Sequence, residues 1–153
     1  MKYNRDILNA LHSQLIDILK EVIRVCESAN IPYFIQGGTA IGAHFFENIV
    51  PWDDDIDVGL LRKDYDKMIE IFKRDYSDKY TIVNGDEFSK YPLMTTRIML
   101  NGTKFIEESL KGIDCPLGIF LDVYAFDCAA ADEKARKKHQ GMLCVDRNIG
   151  GEN

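Results

Sequence analysis

Four carboxylates fall within five consecutive positions, and an apolar segment follows them: Asp53, Asp54, Asp55 and Asp57. Carboxylates this close repel one another, and removing them from water is costly unless a cation or several hydrogen bonds compensate. If Ile56 and Val58 point into a core, the two-residue period of a strand places the aspartates on either side of Ile56 together on the opposite face. This pair, Asp55 and Asp57, offers hard oxygen ligands suited to Mg²⁺ or Mn²⁺.

The acidic run has two other interpretations. A solvated acidic loop is the commonest environment of a charge run, and that alternative stays open. Asp53, Asp55 and Asp57 also occupy the first, third and fifth ligand positions of a calcium-binding loop. That loop needs Gly at its sixth position and usually Glu at its twelfth, where this chain has Val58 and Asp64. The calcium interpretation therefore fails.

Length and charge limit the classes of protein that this chain fits. Its 153 residues suit one compact domain, and the net charge of −6 argues against sequence-independent binding of duplex nucleic acid. No apolar run approaches the roughly 20 residues that span a bilayer, so no transmembrane segment is expected. The first residues lead into a charged amphipathic pattern rather than a secretory signal, which predicts a cytoplasmic location.

The pattern of apolar residues predicts an α+β fold with a mixed or antiparallel sheet flanked by helices, because helices and strands alternate without a regular βαβ repeat. The Asn101-Gly102 pair predicts a two-residue hairpin into a strand at residues 103–107. Predicted helices span residues 4–29, 40–46, 62–74 and 132–147. Besides the acidic strand, predicted strands span residues 33–35, expected to be buried, 80–83, 93–100 and 118–124.

A glycine pair, Gly37-Gly38, follows the predicted strand at residues 33–35 and precedes a helix. Such a turn lets main-chain N–H groups approach a phosphate, and the N-terminus of the helix adds partial positive charge. Thr39 adds a hydroxyl. The alternative is a tight turn that only needs positive φ, and this alternative stays open.

Asp122 is a single acid in an otherwise apolar strand, where Ile119, Leu121 and Val123 share the opposite face. It is the natural candidate for a third carboxylate beside Asp55 and Asp57. A hydrogen-bonded core residue is the alternative interpretation.

Together, a glycine pair, an Asp-x-Asp strand and a later single Asp form a pattern that resembles the nucleotidyltransferase superfold. More narrowly, three stretches resemble the LicD family of phosphocholine and related transferases: IQGGTAIGA at 35–43, IVPWDDDIDVG at 49–59 and RKDY at 62–65. Weaker similarities lie at residues 103–107 and 118–127, so the resemblance spans about residues 5–140.

This resemblance implies a site and a reaction. The implied catalytic metal ligands, for Mg²⁺ or Mn²⁺, are Asp55, Asp57 and Asp122. The implied donor-phosphate ligands are Gly37, Gly38, Thr39 and Arg97. A solvated arginine at a strand edge is the alternative for Arg97. The implied reaction moves a phospho-alcohol group such as phosphocholine from a CDP-activated donor to a hydroxyl of a cell-surface glycan, such as lipopolysaccharide or teichoic acid.

Two alternatives to this reaction stay open: nucleotidyl transfer from an NTP to a small-molecule acceptor, and a non-catalytic nucleotide-binding domain with a degraded site. The chain also departs from the family in two respects. Phe45 and Phe46 stand where members usually carry a basic pair. Members usually continue further, so we expect residues 1–153 to form a single nucleotidyltransferase-like domain without the C-terminal part usual in the family.

Overall fold

The computed structural model describes residues 4–138, and these form the predicted α+β fold with a five-stranded mixed sheet. The helices are α1 (Arg5–Ser28), α2 (Gly37–Phe45) and α3 (Arg62–Asp75), with a 3₁₀ turn at Glu108–Leu110, and residues 133–138 are also helical. The strands are β1 (Phe34–Ile35), β2 (Asp57–Leu61), β3 (Tyr80–Val83), β4 (Thr96–Leu100) and β5 (Phe120–Phe126). Within residues 4–138, none of the helices combines the length and the apolar character needed to span a membrane.

The sheet has the strand order β1-β2-β5-β4-β3. β2 and β5 pair in parallel, and the other neighbours pair antiparallel. In this register Asp57 lies beside Asp122, and Arg97 of β4 lies on the other side of Asp122. Three charged residues that are far apart in the chain thus form one row across the middle of the sheet.

The two faces of the sheet have different neighbours. α1 and α3 pack on the face that carries Val58, Leu60, Leu121 and Val123, and this contact forms the main core. The opposite face carries the charged row, with a smaller apolar cluster beside it: Val83, Tyr91, Met99, Leu110 and Phe120. One face therefore stabilises the fold, whereas the other presents polar groups.

α1 has end signals that agree with the prediction from sequence. Asn4 caps its N-terminus, where Oδ1 accepts a hydrogen bond from the N–H of Asp6 at 2.9 Å. After Ala29 the chain leaves the helix through Asn30, whose φ of 54° lies in the left-handed region that asparagine tolerates. The last predicted helix is present at residues 133–138, and the N–H of Ala135 donates to its cap residue, Asp132. Residues 139–147 of that prediction lie outside the described residues.

The prediction of a buried first strand is wrong. β1 lies at the edge of the sheet and pairs only with β2, so Phe34 and Ile35 are exposed. These residues are exposed because β1, as an edge strand, has a neighbouring strand on one side only. The following helix begins at Gly37 rather than at residue 40, so the glycine pair forms its first turn.

The predicted hairpin at Asn101-Gly102 is also wrong. These residues turn, but residues 103–107 form no strand, and the strand before them begins at Thr96 rather than at residue 93. The hydroxyl of Thr103 donates to Leu100 O and accepts from the N–H of Ile119. β4 pairs with β3 and β5 instead, because those strands complete the central sheet on both sides of β4.

We expect the sheet face that packs against α1 and α3 to contribute most of the free energy of unfolding. Phe72 of α3 is completely buried, so Phe72→Ala should lower the free energy of unfolding by about 3–5 kcal/mol. Phe45 is 73% exposed, so the matched variant Phe45→Ala should change it by less than about 0.5 kcal/mol. Urea denaturation followed by circular dichroism measures both values, and equal values for the two variants would contradict this core assignment.

Candidate active site

The three carboxylates predicted from sequence come together. Asp57 begins β2, Asp122 lies beside it on β5, and Asp55 lies in the segment just before β2 rather than on the strand itself. One carboxylate oxygen of each lies within 4.8 Å of one of each of the others. The parallel pairing of two strands separated by more than 50 residues produces this proximity.

The negative charges of these carboxylates repel one another. Burial, and next the charge of Asp57, raises the pKa of Asp55 to about 7. Burial raises the pKa of Asp122 to about 6, although Arg97 acts in the opposite direction. Burial also raises the pKa of Asp57, and a hydrogen bond from Tyr124 limits the rise. Near neutral pH the cluster therefore carries concentrated negative charge, and the surrounding groups compensate only part of it.

Asp122 is held by two groups on β4 and the segment before it. Its Oδ1 accepts hydrogen bonds from Arg97 Nε at 3.2 Å and from Thr95 Oγ1 at 3.1 Å. Arg97 Nη1 also lies 2.6 Å from Glu107 Oε2, and its guanidinium carbon lies 3.6 Å from the ring centre of Phe120. These contacts fix the carboxylate of Asp122 in one orientation.

Arg97 is only 5% exposed, so the interpretation of a solvated strand-edge arginine is wrong. Although burial favours the neutral form, the charges of Asp122 and Glu107 raise the pKa of Arg97. Its guanidinium is occupied by two carboxylates of the chain, and its predicted role as a phosphate ligand stays a prediction.

The glycine pair lies directly against the acidic run. A Cβ atom at Gly38 would lie 2.4 Å from Asp53 Oδ2, and one at Gly37 would lie 3.0 Å from Asp57 Oδ2. Gly37 also has a φ of 55°, which a side chain would strain. Both the tight turn and the close approach therefore require glycine here, and the first turn of α2 borders the carboxylates.

Thr39 joins the helix to the acidic strand. It is buried, and its Oγ1 accepts a hydrogen bond from the N–H of Asp57 at 2.8 Å. Its predicted contact with donor phosphate stays a prediction, while this bond fixes the main chain at Asp57.

Sequence reasoning missed three residues that support the carboxylates. Tyr124 donates to Asp57, Thr95 donates to Asp122, and Glu107 pairs with Arg97. Strand alternation offered a signal for the first two, because Tyr124 lies two residues after Asp122, and Thr95 two residues before Arg97. Glu107 lies in an irregular segment, and its signal was its place in residues 103–107, which weakly resemble the LicD family.

The donor set fits a hard divalent cation. Three carboxylates supply oxygen ligands at close range, and because burial raises the pKa of Asp55 and Asp122, a nearby cation would favour the ionised form of both. Asp53 and Asp54 form a second grouping with Asp55 at the same range. An acidic loop fully surrounded by water would not be partly buried against a sheet and a helix in this way.

Comparison with known proteins gives a family match that includes the acidic run, and several similar proteins. Residues 30–105 match the family described as LicD/FKTN/FKRP, nucleotidyltransferase domain. The chain is 28% identical over 130 residues to the lipopolysaccharide cholinephosphotransferase LicD of Haemophilus influenzae, a match that covers 82% of this chain and 48% of that protein. It is 36% identical over 50 residues to the ribitol 5-phosphate transferase FKRP of Homo sapiens, covering 33% of this chain and 10% of that protein.

We expect the metal-free protein to lose stability as pH rises. An acid whose pKa is raised by folding binds more protons in the native state, so its destabilising effect grows from about pH 4 to about pH 7. Asp55→Asn should weaken this dependence. Urea denaturation in EDTA at about pH 5 and about pH 8 measures the free energy of unfolding at the two ends of this range.

The matched control is Asp66→Asn, which lies on the exposed surface of α3. A pH dependence of stability that Asp55→Asn leaves unchanged would contradict the assigned electrostatics.

Proposed function

This chain belongs to the LicD family, and on that premise we propose that it is a metal-dependent transferase. It moves a phospho-alcohol group such as phosphocholine from a CDP-activated donor to a hydroxyl of a glycan. The observation that carries the proposal is the convergence of Asp55, Asp57 and Asp122 within 4.8 Å. The chain spans about half the length of the Haemophilus relative, so the activity of the whole protein is part of the proposal.

Asp55, Asp57 and Asp122 would hold the cofactor. When bound, Mg²⁺ or Mn²⁺ supplies Lewis acidity that neutralises phosphate charge and lowers the pKa of the acceptor hydroxyl. Arg97 and Thr95 keep Asp122 oriented through hydrogen bonds to its Oδ1. Tyr124 holds the side chain of Asp57 through a hydrogen bond, and Thr39 holds its main chain by accepting a hydrogen bond from its N–H.

The N-terminus of α2 is the proposed binding site for the donor phosphates. Its partial positive charge favours phosphate. Gly37 and Gly38 bring this first turn directly against the carboxylates of Asp57 and Asp53, because a Cβ atom at either glycine would meet one of them. The donor phosphates would therefore bind close to the carboxylate cluster. Phe45 and Phe46, which replace the usual basic pair, lie at the other end of this helix and are exposed.

The reaction needs no nucleophilic side chain. The acceptor oxygen forms a bond to the phosphorus that carries the alcohol, the bond from that phosphorus to CMP breaks, and the hydroxyl proton is released. The chain's part is to hold both reactants in line and to concentrate charge where the phosphates bind. The donor, the glycan acceptor and the cytoplasmic location remain proposals.

Asp57→Asn should abolish transfer while leaving the fold intact. Asparagine has the same shape, removes one repelling charge and cannot replace an anionic ligand. We expect the rate to fall by more than about 100-fold, since even the outer partners of metal ligands change activity by about 10–100-fold. Release of CMP from CDP-choline in the presence of a glycan acceptor measures turnover, and thermal unfolding checks the fold.

The matched control for this experiment is Asp66→Asn, which removes a carboxylate from α3, packed on the other side of the sheet. Its turnover should equal that of the original chain. Retained turnover in Asp57→Asn would remove the proposed role of the carboxylate cluster.

Ligand-induced stabilisation separates the donor classes. A ligand that binds only the native state raises the melting temperature, so CDP-choline with Mg²⁺ should raise it more than CDP-choline or Mg²⁺ alone. CTP and ATP are the comparison ligands. A larger shift with either of them and Mg²⁺ favours nucleotidyl transfer, and no shift with any pair favours a domain with a degraded site.

A further inference from the structure

Two exposed phenylalanines lie beside the carboxylates on the same face of the sheet. Phe34 of β1 and Phe126 of β5 are 42% and 40% exposed, and their ring centres lie 5.1 Å apart in an edge-to-face arrangement. We call this pair the aromatic platform. Neither the main core nor the smaller apolar cluster includes it, so its rings stabilise the fold less than buried aromatic residues do.

The platform lies at a short, fixed distance from the carboxylates. Phe34 pairs with Gly59, which follows Asp57 by two residues and shares its face. Phe126 follows Asp122 on β5 by four residues and shares its face too. A strand rises about 3.3 Å per residue, so Gly59 lies about 7 Å from Asp57 along β2.

Gly59 makes room for the platform. A Cβ atom there would lie 2.3 Å from Phe34 Cε2 and 3.0 Å from Phe126 Cε2, so both rings lie against the bare backbone of β2. Any other residue would push the rings away from the sheet. Two aromatic rings thus lie next to the row of charged residues on the sheet and remain open to solvent.

A polar side chain lies between the platform and the carboxylates. Tyr124 lies between Asp122 and Phe126 on the same face of β5, and its hydroxyl bonds to Asp57. The exposed parts of the two phenylalanine rings are apolar, and a sugar ring has an apolar C–H face with hydroxyls at its edge. The platform therefore suits a sugar ring whose hydroxyls reach towards the carboxylates.

The position along the strands indicates which substrate uses the platform. β1 leads into α2, so the glycine turn lies beside Asp57, where the N–H of Gln36 bonds to Asp57 O, and the platform lies beside Gly59. Along the strands, Asp57 and its neighbour Asp122 therefore lie between the glycine turn and the platform. In an in-line transfer the acceptor approaches from the side opposite the leaving group, and the donor phosphates occupy the glycine turn.

We propose that the aromatic platform stacks against a sugar ring of the acceptor and thereby brings its hydroxyl to the carboxylates. This inference rests on the proposed function for the order of the substrates, but sugar binding itself can be measured without turnover. A nucleobase of the donor is the competing occupant, since bases also stack on aromatic rings.

Ligand-observed NMR tests the platform directly. The probes are methyl β-D-glucopyranoside, methyl β-D-galactopyranoside and N-acetylglucosamine, and sorbitol is the control polyol without a ring face. Saturation transfer and upfield ring-current shifts of the sugar C–H protons should appear with the original chain and not with sorbitol. Phe34→Ala and Phe126→Ala should each weaken sugar binding by roughly 3- to 10-fold, the change expected for loss of one aromatic contact.

Two further variants separate stacking from general effects. Gly59→Ala keeps both phenylalanines but displaces their rings, so it should weaken sugar binding as the truncations do. Phe45→Ala removes an exposed phenylalanine at the far end of α2 and should leave sugar binding unchanged. Thermal unfolding of each variant confirms that it is folded before its affinity is compared.

The outcomes distinguish this proposal from the proposed function. If CDP-choline with Mg²⁺ binds normally to Phe34→Ala and Phe126→Ala while sugar binding falls, the platform is the acceptor subsite. Unchanged sugar binding in both variants, or no sugar signal with the original chain, overturns the platform and leaves the donor site untouched. A loss of CDP-choline affinity with sugar binding unchanged overturns it in favour of base stacking. Sugar binding that depends on the platform in a chain that binds no nucleotide supports the platform and refutes the transferase.

Discussion

The parallel pairing of β2 with β5 is the constraint on which the site depends. It sets Asp57 against Asp122 in the centre of the sheet, where two carboxylates would repel each other with little water to screen them. Arg97 on the next strand offsets part of this repulsion and is itself held by Glu107. The remaining negative charge lowers local stability, and it suits the cluster to a divalent cation, which is the proposed ligand.

The sheet separates stability from chemistry by its two faces. Strand alternation sends Val58 and Val123 into the core under α1 and α3, and it sends Asp57 and Asp122 to the other face. Because neighbouring residues of one strand serve the two purposes, a shift of register by one residue would bury the carboxylates and expose the core. The rigid core thus positions the carboxylates.

The predictions that the structure confirms rest on local patterns, and those that it overturns depend on distant partners. The period of apolar residues in α1 and α3 identified both helices, and the acid within β5 pointed to Asp122, because these signals lie within one element. Phe34 looked buried from its apolar neighbours, yet its strand is at the edge of the sheet. Asn101-Gly102 has the sequence of a hairpin turn, but the central strands leave no place for residues 103–107 as a sixth strand in the described fold.

The sequence by itself indicated the α+β class, the family, and the carboxylates and glycines of the candidate site, since these follow from residue type, spacing and short motifs. Only the tertiary structure decided that Asp57 lies beside Asp122, that Arg97 is buried between Asp122 and Glu107, and that Phe34 meets Phe126 over Gly59. Each of these contacts joins segments far apart in the chain. Local periodicity specifies which face a side chain takes, whereas strand order and register, set by packing of the whole chain, specify its neighbour.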